Sequence, residues 1–186
     1  MAKLVESVYG DALFELALEE GRLEEYRKEM TVISDILQEN PELIQLLHHP
    51  RIEKNEKIEI VEKVFRGKVS DDITGLFVVV VSKNHGDSIE SIMKYFLGKV
   101  KQHLHIGEVQ ITSAVELTAT QKEVIEQRLL QLTEYSTLET EYIIDPQLIG
   151  GLVIRMDNRV VDSSIQTKLE RMSKSLKEIQ LGNISD

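Results

Sequence analysis

Side chains alternate in the manner of a strand for the first time in Val109-Gln110-Ile111-Thr112-Ser113-Ala114-Val115-Glu116. A period of two is typical of a strand with one buried face. Before this stretch, the apolar residues follow a helical spacing instead. The clearest example is the stripe of Leu23, Tyr26, Met30, Ile33 and Leu37. The change of period near Gly107 therefore separates a helical part of the chain from a part that contains strands.

The helical spacing recurs six times before this change, which predicts six helices. We expect them over about 3–19, 23–39, 41–47, 58–66, 71–84 and 88–104. After it, strand and helix patterns alternate. The expected strands are 109–116, 138–144, 148–154 and 160–161, with a tight turn at Asp157-Asn158 and helices after Thr118 and Ser163. The sequence thus predicts an α+β fold, with an N-terminal six-helix bundle (1–105) and a small C-terminal mixed α/β domain (106–186).

Several helix ends carry sequence signals. Asn40 before Pro41 is typical of an N-cap with proline in the first turn. A Gly after a helix, as in His85-Gly86, predicts a left-handed cap. Capping boxes pair a Ser, Thr or Asp with a Glu or Gln three residues later. We expect them at Asp87 and Glu90, Thr118 and Gln121, and Ser163 and Gln166.

Composition excludes several classes of protein. The 32 acidic and 22 basic side chains give a net charge of -10, whereas nucleic-acid binders carry basic patches. The absence of cysteine excludes disulfides and thiolate chemistry. The longest apolar run, 76–81, is far shorter than the roughly 20 residues that cross a bilayer. The N-terminus has no apolar stretch of the secretory type. We therefore expect a soluble intracellular protein without a targeting peptide and without a nucleic-acid partner.

No catalytic constellation is present in the sequence. Gly150-Gly151 belongs to neither of the glycine-rich phosphate motifs. Asp162-Ser163-Ser164 would need a histidine to form a triad, and none lies in 106–186. The two adjacent histidines, His48-His49, would point about 100° apart on a helix, so they do not suit one metal. We predict a protein that is not an enzyme, with no catalytic, cofactor-binding or metal-binding residues.

Two helices carry more apolar residues than one buried face needs. In the segment 76–81 every residue is apolar, including four consecutive valines, and the helix at 3–19 is apolar over most of its circumference. Such helices are either central to a core or have one face covered by a partner helix. The pattern allows both interpretations.

The last helix carries an apolar stripe among basic residues. The stripe consists of Ile165, Leu169, Met172, Leu176 and Ile179. A seam of this kind packs either on the chain's own sheet or on helices of another chain.

Two motifs resemble one known family. The first is the run Leu148-Ile149-Gly150-Gly151-Leu152-Val153-Ile154-Arg155-Met156-Asp157-Asn158-Arg159-Val160-Val161-Asp162-Ser163-Ser164-Ile165, continued by Lys168-Leu169-Glu170-Arg171-Met172. The second is Tyr9-Gly10-Asp11-Ala12-Leu13-Phe14, which is similar to an opening pattern Tyr-x-x-Ala-Leu-Phe. Both resemble the delta subunit of F-type ATP synthases, the oligomycin-sensitivity-conferring protein family. The resemblance covers essentially the whole chain.

The resemblance implies a non-catalytic stator subunit. In that family the helical domain binds the N-terminal helix of an alpha subunit of the catalytic hexamer, and the C-terminal domain binds the b subunits of the peripheral stalk. Rotary torque can then drive ATP synthesis coupled to ion transport. The implied location is peripheral, at the cytoplasmic face of a bacterial cell membrane, with membrane association only through the complex.

The resemblance also implies contact residues. Ala12, Leu76 and Val80 would contact the alpha subunit, and aspartate at Ala12 or Val80 is expected to weaken attachment without disturbing the fold. For the stalk, the implied contacts are Leu169, Met172 and Leu176. Without the resemblance, the sequence would favour an acidic helical adaptor or scaffold that binds amphipathic helices in another complex.

Overall fold

The structure is a computed structural model, and it describes residues 2–49, 51–170 and 172. The chain divides into two compact units, one ending at His103 and the other beginning at Leu104. We call them unit 1 and unit 2. Unit 1 is helical, and unit 2 combines helices with a four-stranded mixed sheet. This confirms the α+β class and the order of its two parts.

The described residues of unit 1 form six α-helices and one short 3-10 helix, Gly86–Ser88. The α-helices are α1 (Ala2–Glu19), α2 (Leu23–Glu39), α3 (Pro41–His48), α4 (Lys54–Phe65), α5 (Asp71–Ser82) and α6 (Ile89–His103). Helix α1 contacts α2, α5 and α6, while α4 packs on α5. The valine-rich segment is therefore helical, as its flanking residues predicted, although valine itself favours strands.

Helical stripes in the sequence became the core of unit 1. All five residues of the α2 stripe are buried, from Leu23 to Leu37, which confirms that face. Helix α6 buries Ile89, Ile92, Met93, Phe96 and Val100. The rings of Phe65 and Phe77 meet with their centroids 5.4 Å apart and join α4 to α5.

Helix α5 ends differently from the prediction. Asn84, with φ of 60°, takes the left-handed position that was expected of Gly86. The His85 N–H donates to the Val80 carbonyl and the Asn84 N–H to the Val81 carbonyl, both at 3.0 Å. This is the Schellman arrangement, which asparagine tolerates because its short polar side chain permits positive φ. The capping box at Asp87 was wrong, because a 3-10 helix occupies 86–88 and α6 begins only at Ile89.

Asn40 also acts on the helix before it rather than the one after it. Its side-chain amide donates to the Ile36 carbonyl of α2 at 2.8 Å. It makes no capping hydrogen bond to α3, so the predicted N-cap role was wrong. Pro41 does occupy the first turn of α3.

Unit 2 is built on a mixed sheet. Its elements are β1 (Ile106–Ser113), α7 (Ala119–Leu132), β2 (Thr137–Ile144), a 3-10 helix (Pro146–Leu148), β3 (Leu152–Met156) and β4 (Arg159–Asp162), followed by a helical stretch at 165–170. The strand order is β2-β1-β3-β4. Strands β1 and β2 are parallel and connected through α7, and the other two pairings are antiparallel. Thr118 and Gln121 form the predicted capping box of α7, which is confirmed.

Strands β2 and β4 are the two edges of this sheet. Outward-facing charges accompany both edges. Glu139 and Glu141 are exposed on β2, and Arg159 and Asp162 are exposed at the ends of β4. Such charges hinder pairing of an edge with another chain.

The Gly-Gly segment is a turn rather than part of a strand. β3 begins only at Leu152, and Gly151 has a φ of 82°. A Cβ on Gly151 would lie 2.5 Å from the Ser163 backbone oxygen, so glycine is required by both backbone angle and space. The predicted strand 148–154 was therefore wrong over its first four residues. The turn at Asp157-Asn158 between β3 and β4 is confirmed.

The cap of the last helical stretch lies one residue later than predicted. The Ser163 hydroxyl donates to the Leu152 carbonyl at 2.9 Å and so joins that segment to β3. Ser164 is the cap instead, because its hydroxyl accepts from the Thr167 N–H at 3.2 Å. The predicted box of Ser163 with Gln166 was wrong.

Candidate functional site: exposed apolar surfaces

Helix α1 exposes a row of apolar residues in addition to its buried face. Leu4 is 70% exposed, Val8 is 57% exposed, and Ala12 is also exposed. Residues four apart share one face of a helix, so these three form a single stripe. On the buried face, Leu13 and Ala17 contribute to the core of unit 1. The apolar surplus of α1 is thus divided between a core face and an outer face.

Helix α5 divides its residues in the same way. Phe77, Val80 and Val81 are buried, whereas Val79 is 45% exposed. Gly75, four residues before Val79, is exposed as well. We define the α1/α5 surface by Leu4, Val8, Ala12, Gly75, Leu76 and Val79, of which Leu76 is half-buried.

The structure places the three predicted alpha-subunit contacts differently. Ala12 is exposed and Leu76 half-buried, so both can be reached by another chain. Val80 has 0% exposure and lies in the core, beyond the reach of a docked helix. The prediction that aspartate at Val80 leaves the fold intact is corrected, because it would bury a charge. Sequence reasoning missed Val79, because in an all-apolar run the sequence does not indicate which side of the helix is buried.

A polar cluster fixes the N-terminal end of α5. The hydroxyl of Tyr26, which is fully buried, donates to Asp72 Oδ2 at 2.6 Å, and Glu20 Oε2 lies 3.0 Å from the same hydroxyl. Burial first, and then these two carboxylates, raise the pKa of Tyr26 above its ordinary value. The Ser70 N–H, just before α5, donates to Glu29 Oε2 at 2.9 Å. Helix α2 therefore holds α5 through two separate contacts.

A second polar cluster fixes α1 on α6. Asp11 accepts hydrogen bonds from Lys99 and from the Tyr95 hydroxyl. The hydrogen bond from Lys99 is the main reason why the pKa of Asp11 lies below its usual value. Gly10 lets the Tyr95 ring come close, since a Cβ there would lie 2.4 Å from a ring carbon. The outer stripes of α1 and α5 thus rest on helices that are held in place.

Acidic residues predominate on the two helices. Helix α1 contains four acidic residues and α5 begins with Asp71 and Asp72, whereas Lys3 is the one basic residue in the sequence of either helix. Exposed apolar side chains within an acidic setting suit an amphipathic helix that carries basic residues beside its apolar stripe. The arrangement has the chemistry of a docking surface.

Unit 2 exposes apolar residues in a groove that the sequence analysis missed. A cavity of about 490 Å³ lies between α7, the segment after β1 and the Gly150-Gly151 turn. Val115, Val124 and Ile149 line it, and Ile149 is 64% exposed. No sequence signal could have found it, since three separate segments build it.

The predicted stalk contacts lie partly within the described residues. Leu169 and Met172 are exposed, the latter by 64%, and Leu176 lies outside the described residues. Ile165, the first residue of the same stripe, is also exposed, and its side chain reaches Gly150.

Residues 2–49, 51–170 and 172 contain neither a metal-binding cluster nor a membrane-spanning helix. No group of three or more His, Asp or Glu side chains in these ranges is placed to hold a metal ion. None of the helices in the described part of the chain has the length and apolar character that a bilayer crossing requires.

Comparisons with known proteins agree on one family. The family model described as ATP synthase delta (OSCP) subunit matches residues 5–176. The chain is 47% identical to an ATP synthase subunit delta of Lachnoclostridium phytofermentans, over 98% of this chain and 100% of the relative. It is 36% identical to one of Halalkalibacterium halodurans, over 90% and 92%. The chain belongs to the ATP synthase delta (OSCP) subunit family.

A solved structure supports the fold of this family member. A chain of the Toxoplasma gondii mitochondrial ATP synthase hexamer matches with a TM-score of 0.68 at 16% identity, over 92% of this chain and 96% of that one. The two chains thus share a fold. Membership of the family makes the chain a non-catalytic stator subunit of the F-type ATP synthase, as the sequence resemblance implied.

Proposed function

We propose that the chain joins an alpha subunit of the catalytic hexamer to the b subunits of the peripheral stalk. Residues 1–105, as a six-helix bundle, bind the N-terminal helix of an alpha subunit through the α1/α5 surface. Residues 106–186 bind the b subunits of the peripheral stalk through the exposed stripe of Leu169 and Met172, together with Leu176. The observation that carries the alpha-subunit contact is the exposed apolar face on two helices that are otherwise core elements.

The physical demand on a stator explains why such surfaces suit the task. Rotation of the central shaft exerts torque on the catalytic hexamer, and the stator must prevent the hexamer from turning with it. Burial of apolar surface stabilises a joint by about 25 cal/mol per Å², although buried area does not convert directly into affinity. The polar clusters around Tyr26 and Asp11 hold α5 and α1, so little ordering is needed when a partner binds.

The proposed location follows from the partners. The chain lies at the cytoplasmic face of a bacterial cell membrane and is attached there only through the other subunits of the synthase. The bacterial sources of the similar delta subunits support this location.

The deciding experiment is a calorimetric titration of the chain into a catalytic sector that has been stripped of its delta subunit. We expect saturable one-to-one binding that a peptide of the alpha subunit's N-terminal segment abolishes. Ala12→Asp should weaken binding at least tenfold, about 1.4 kcal/mol, because it places a charge in an apolar contact. Val32→Asp is the matched control, since Val32 is an exposed valine on α2.

Each outcome has a clear meaning. Equal binding by wild type and a folded Ala12→Asp variant would remove the α1/α5 surface from the proposal. Failure of the wild-type chain to bind would remove the alpha-subunit contact from the proposal. For the stalk, Leu169→Asp with Met172→Asp should reduce binding of a b-subunit fragment and leave the alpha peptide unaffected.

A further inference from the structure

Gly75 is a glycine that the fold of unit 1 does not require. It lies in the interior of α5, where glycine is less favourable than alanine because it loses more backbone freedom. Its φ is not positive, and a Cβ built on it meets no described atom within 4 Å apart from its chain neighbours and the adjoining backbone of α5. Neither backbone conformation nor packing within the described residues explains this residue.

The residues around Gly75 on the exposed face of α5 indicate why a glycine stands there. Val79, on the same face of α5, is exposed, and the adjacent Leu76 is half-buried. Gly75 is thus a gap in an apolar face. Without a Cβ, a second helix can approach α5 more closely than the usual 8–10 Å between helix axes.

Gly98 of α6 provides a comparison within the same chain. It is also an exposed, mid-helix glycine, and its Cβ would meet no described atom within 4 Å beyond its chain neighbours and the adjoining backbone of α6. Its neighbours on the same face, Lys94 and Gln102, are exposed and polar. That face offers no apolar area to a docked helix, so Gly98 is a suitable control.

We propose that Gly75 is the point of closest approach between α5 and the backbone of the bound partner helix, and that it determines which helices fit. The inference rests on the proposed function. The occupant is an amphipathic helix with basic residues beside its apolar stripe. Its charge follows from the acidic residues of α1 and α5, among which Glu15 and Asp71 are exposed.

The test compares Gly75→Ala, Gly75→Leu and Gly98→Ala in the full chain. The probe is a peptide of the alpha subunit's N-terminal segment, titrated by calorimetry, with thermal melts of each variant. Both alanine variants should raise the Tm by about 4 °C through helix propensity. Gly75→Ala should weaken binding about tenfold and Gly75→Leu about a hundredfold, while Gly98→Ala stays within about twofold of wild type.

Gly75→Leu separates close approach from simple apolar contact. If the partner helix lay at an ordinary distance, leucine would add apolar area and strengthen binding, which would overturn the inference. Unchanged binding by both Gly75 variants, or equal weakening by Gly98→Ala, would overturn it as well and leave the proposed function standing. Absence of binding by the wild-type chain would overturn both.

Discussion

The two units treat their apolar side chains in opposite ways. Among the described residues, unit 1 holds about four fifths of the buried apolar side chains, whereas unit 2 holds about two thirds of the large apolar side chains that are exposed. Helix α7 of unit 2 buries none of its residues. The exposed apolar residues of unit 2 include Val115, Val124, Ile149, Val160, Val161 and Met172.

This difference indicates how each unit obtains its stability. Within the described residues, unit 1 closes its own core and exposes large apolar side chains mainly on α1 and α5. The described part of unit 2 leaves many apolar side chains exposed, and hydrophobic burial is the dominant favourable term in folding. We therefore expect unit 2 to depend on a partner for part of its stability, and unit 1 to depend on a partner only for its function.

The sharpest test of the closed core in unit 1 is a pair of adjacent valines. Val80→Asp should lower the free energy of unfolding by about 4 kcal/mol or more, because it buries a charge. Val79→Asp should cost less than about 1 kcal/mol, since Val79 is partly exposed. Thermal melts followed by circular dichroism measure both. Similar losses in the two variants would show that the two faces of α5 are not distinct.

Unit 2 is tested at the Gly-Gly turn. Gly151→Ala should destabilise unit 2 by about 3 kcal/mol, because it combines a positive φ with a clash against backbone. Gly21→Ala is the control, since Gly21 has a φ of 67° but open space around it. Amide NMR spectra should show the loss in residues after 104 only. Loss of unit 1 signals in Gly151→Ala would mean that the units do not unfold separately.

A bound partner should remove the difference between the units. A fragment of the b subunit at a hundred times its Kd should stabilise the part of the chain that it binds by about 2.7 kcal/mol. Before binding, hydrogen exchange should be faster in unit 2 than in unit 1. After binding, exchange in unit 2 should be slower than it was in the free chain. Protection of unit 1 alone would contradict the proposed division of contacts.

The smallest expected effect concerns alkaline pH. Because the pKa of Tyr26 is raised in the folded chain, its contribution is fully present below the unfolded pKa of about 10 and is lost as pH rises through the folded value. Tyr142 of unit 2, with a pKa raised by burial and by Glu126, should behave alike. Tyr26→Phe should cost about 1 kcal/mol at pH 8 and less above pH 10. Denaturant unfolding at both pH values measures this, and a constant loss would exclude the linkage.

Sequence analysis correctly predicted those elements whose apolar or capping residues stand at a regular spacing among polar residues. The α2 stripe could be predicted because its apolar residues recur at helical spacing among polar ones, which marks the buried face. The Thr118 capping box could be predicted because its two residues stand at the required spacing. Val80 could not be placed, since each face of its segment is apolar and only packing on neighbouring helices selects the inner face. The groove of unit 2 was beyond the sequence because distant segments build it.

Prediction of helix ends from the local sequence was wrong where two nearby residues could both act as the cap. Ser163 and Ser164 can both cap a helix, and the contact of Ser163 with Leu152 decides between them. Asn84 and Gly86 can both take positive φ. Because α5 ends at Ser82, the left-handed position after it falls on Asn84. The motif that carried the family resemblance did not depend on these details.

The charged edges of the sheet have a consequence for the chain before it meets its partners. Open strand edges beside exposed apolar side chains favour aggregation. At neutral pH, Glu139 and Glu141 on one edge keep a second copy from extending the sheet. Unassembled chains should therefore remain monodisperse at neutral pH.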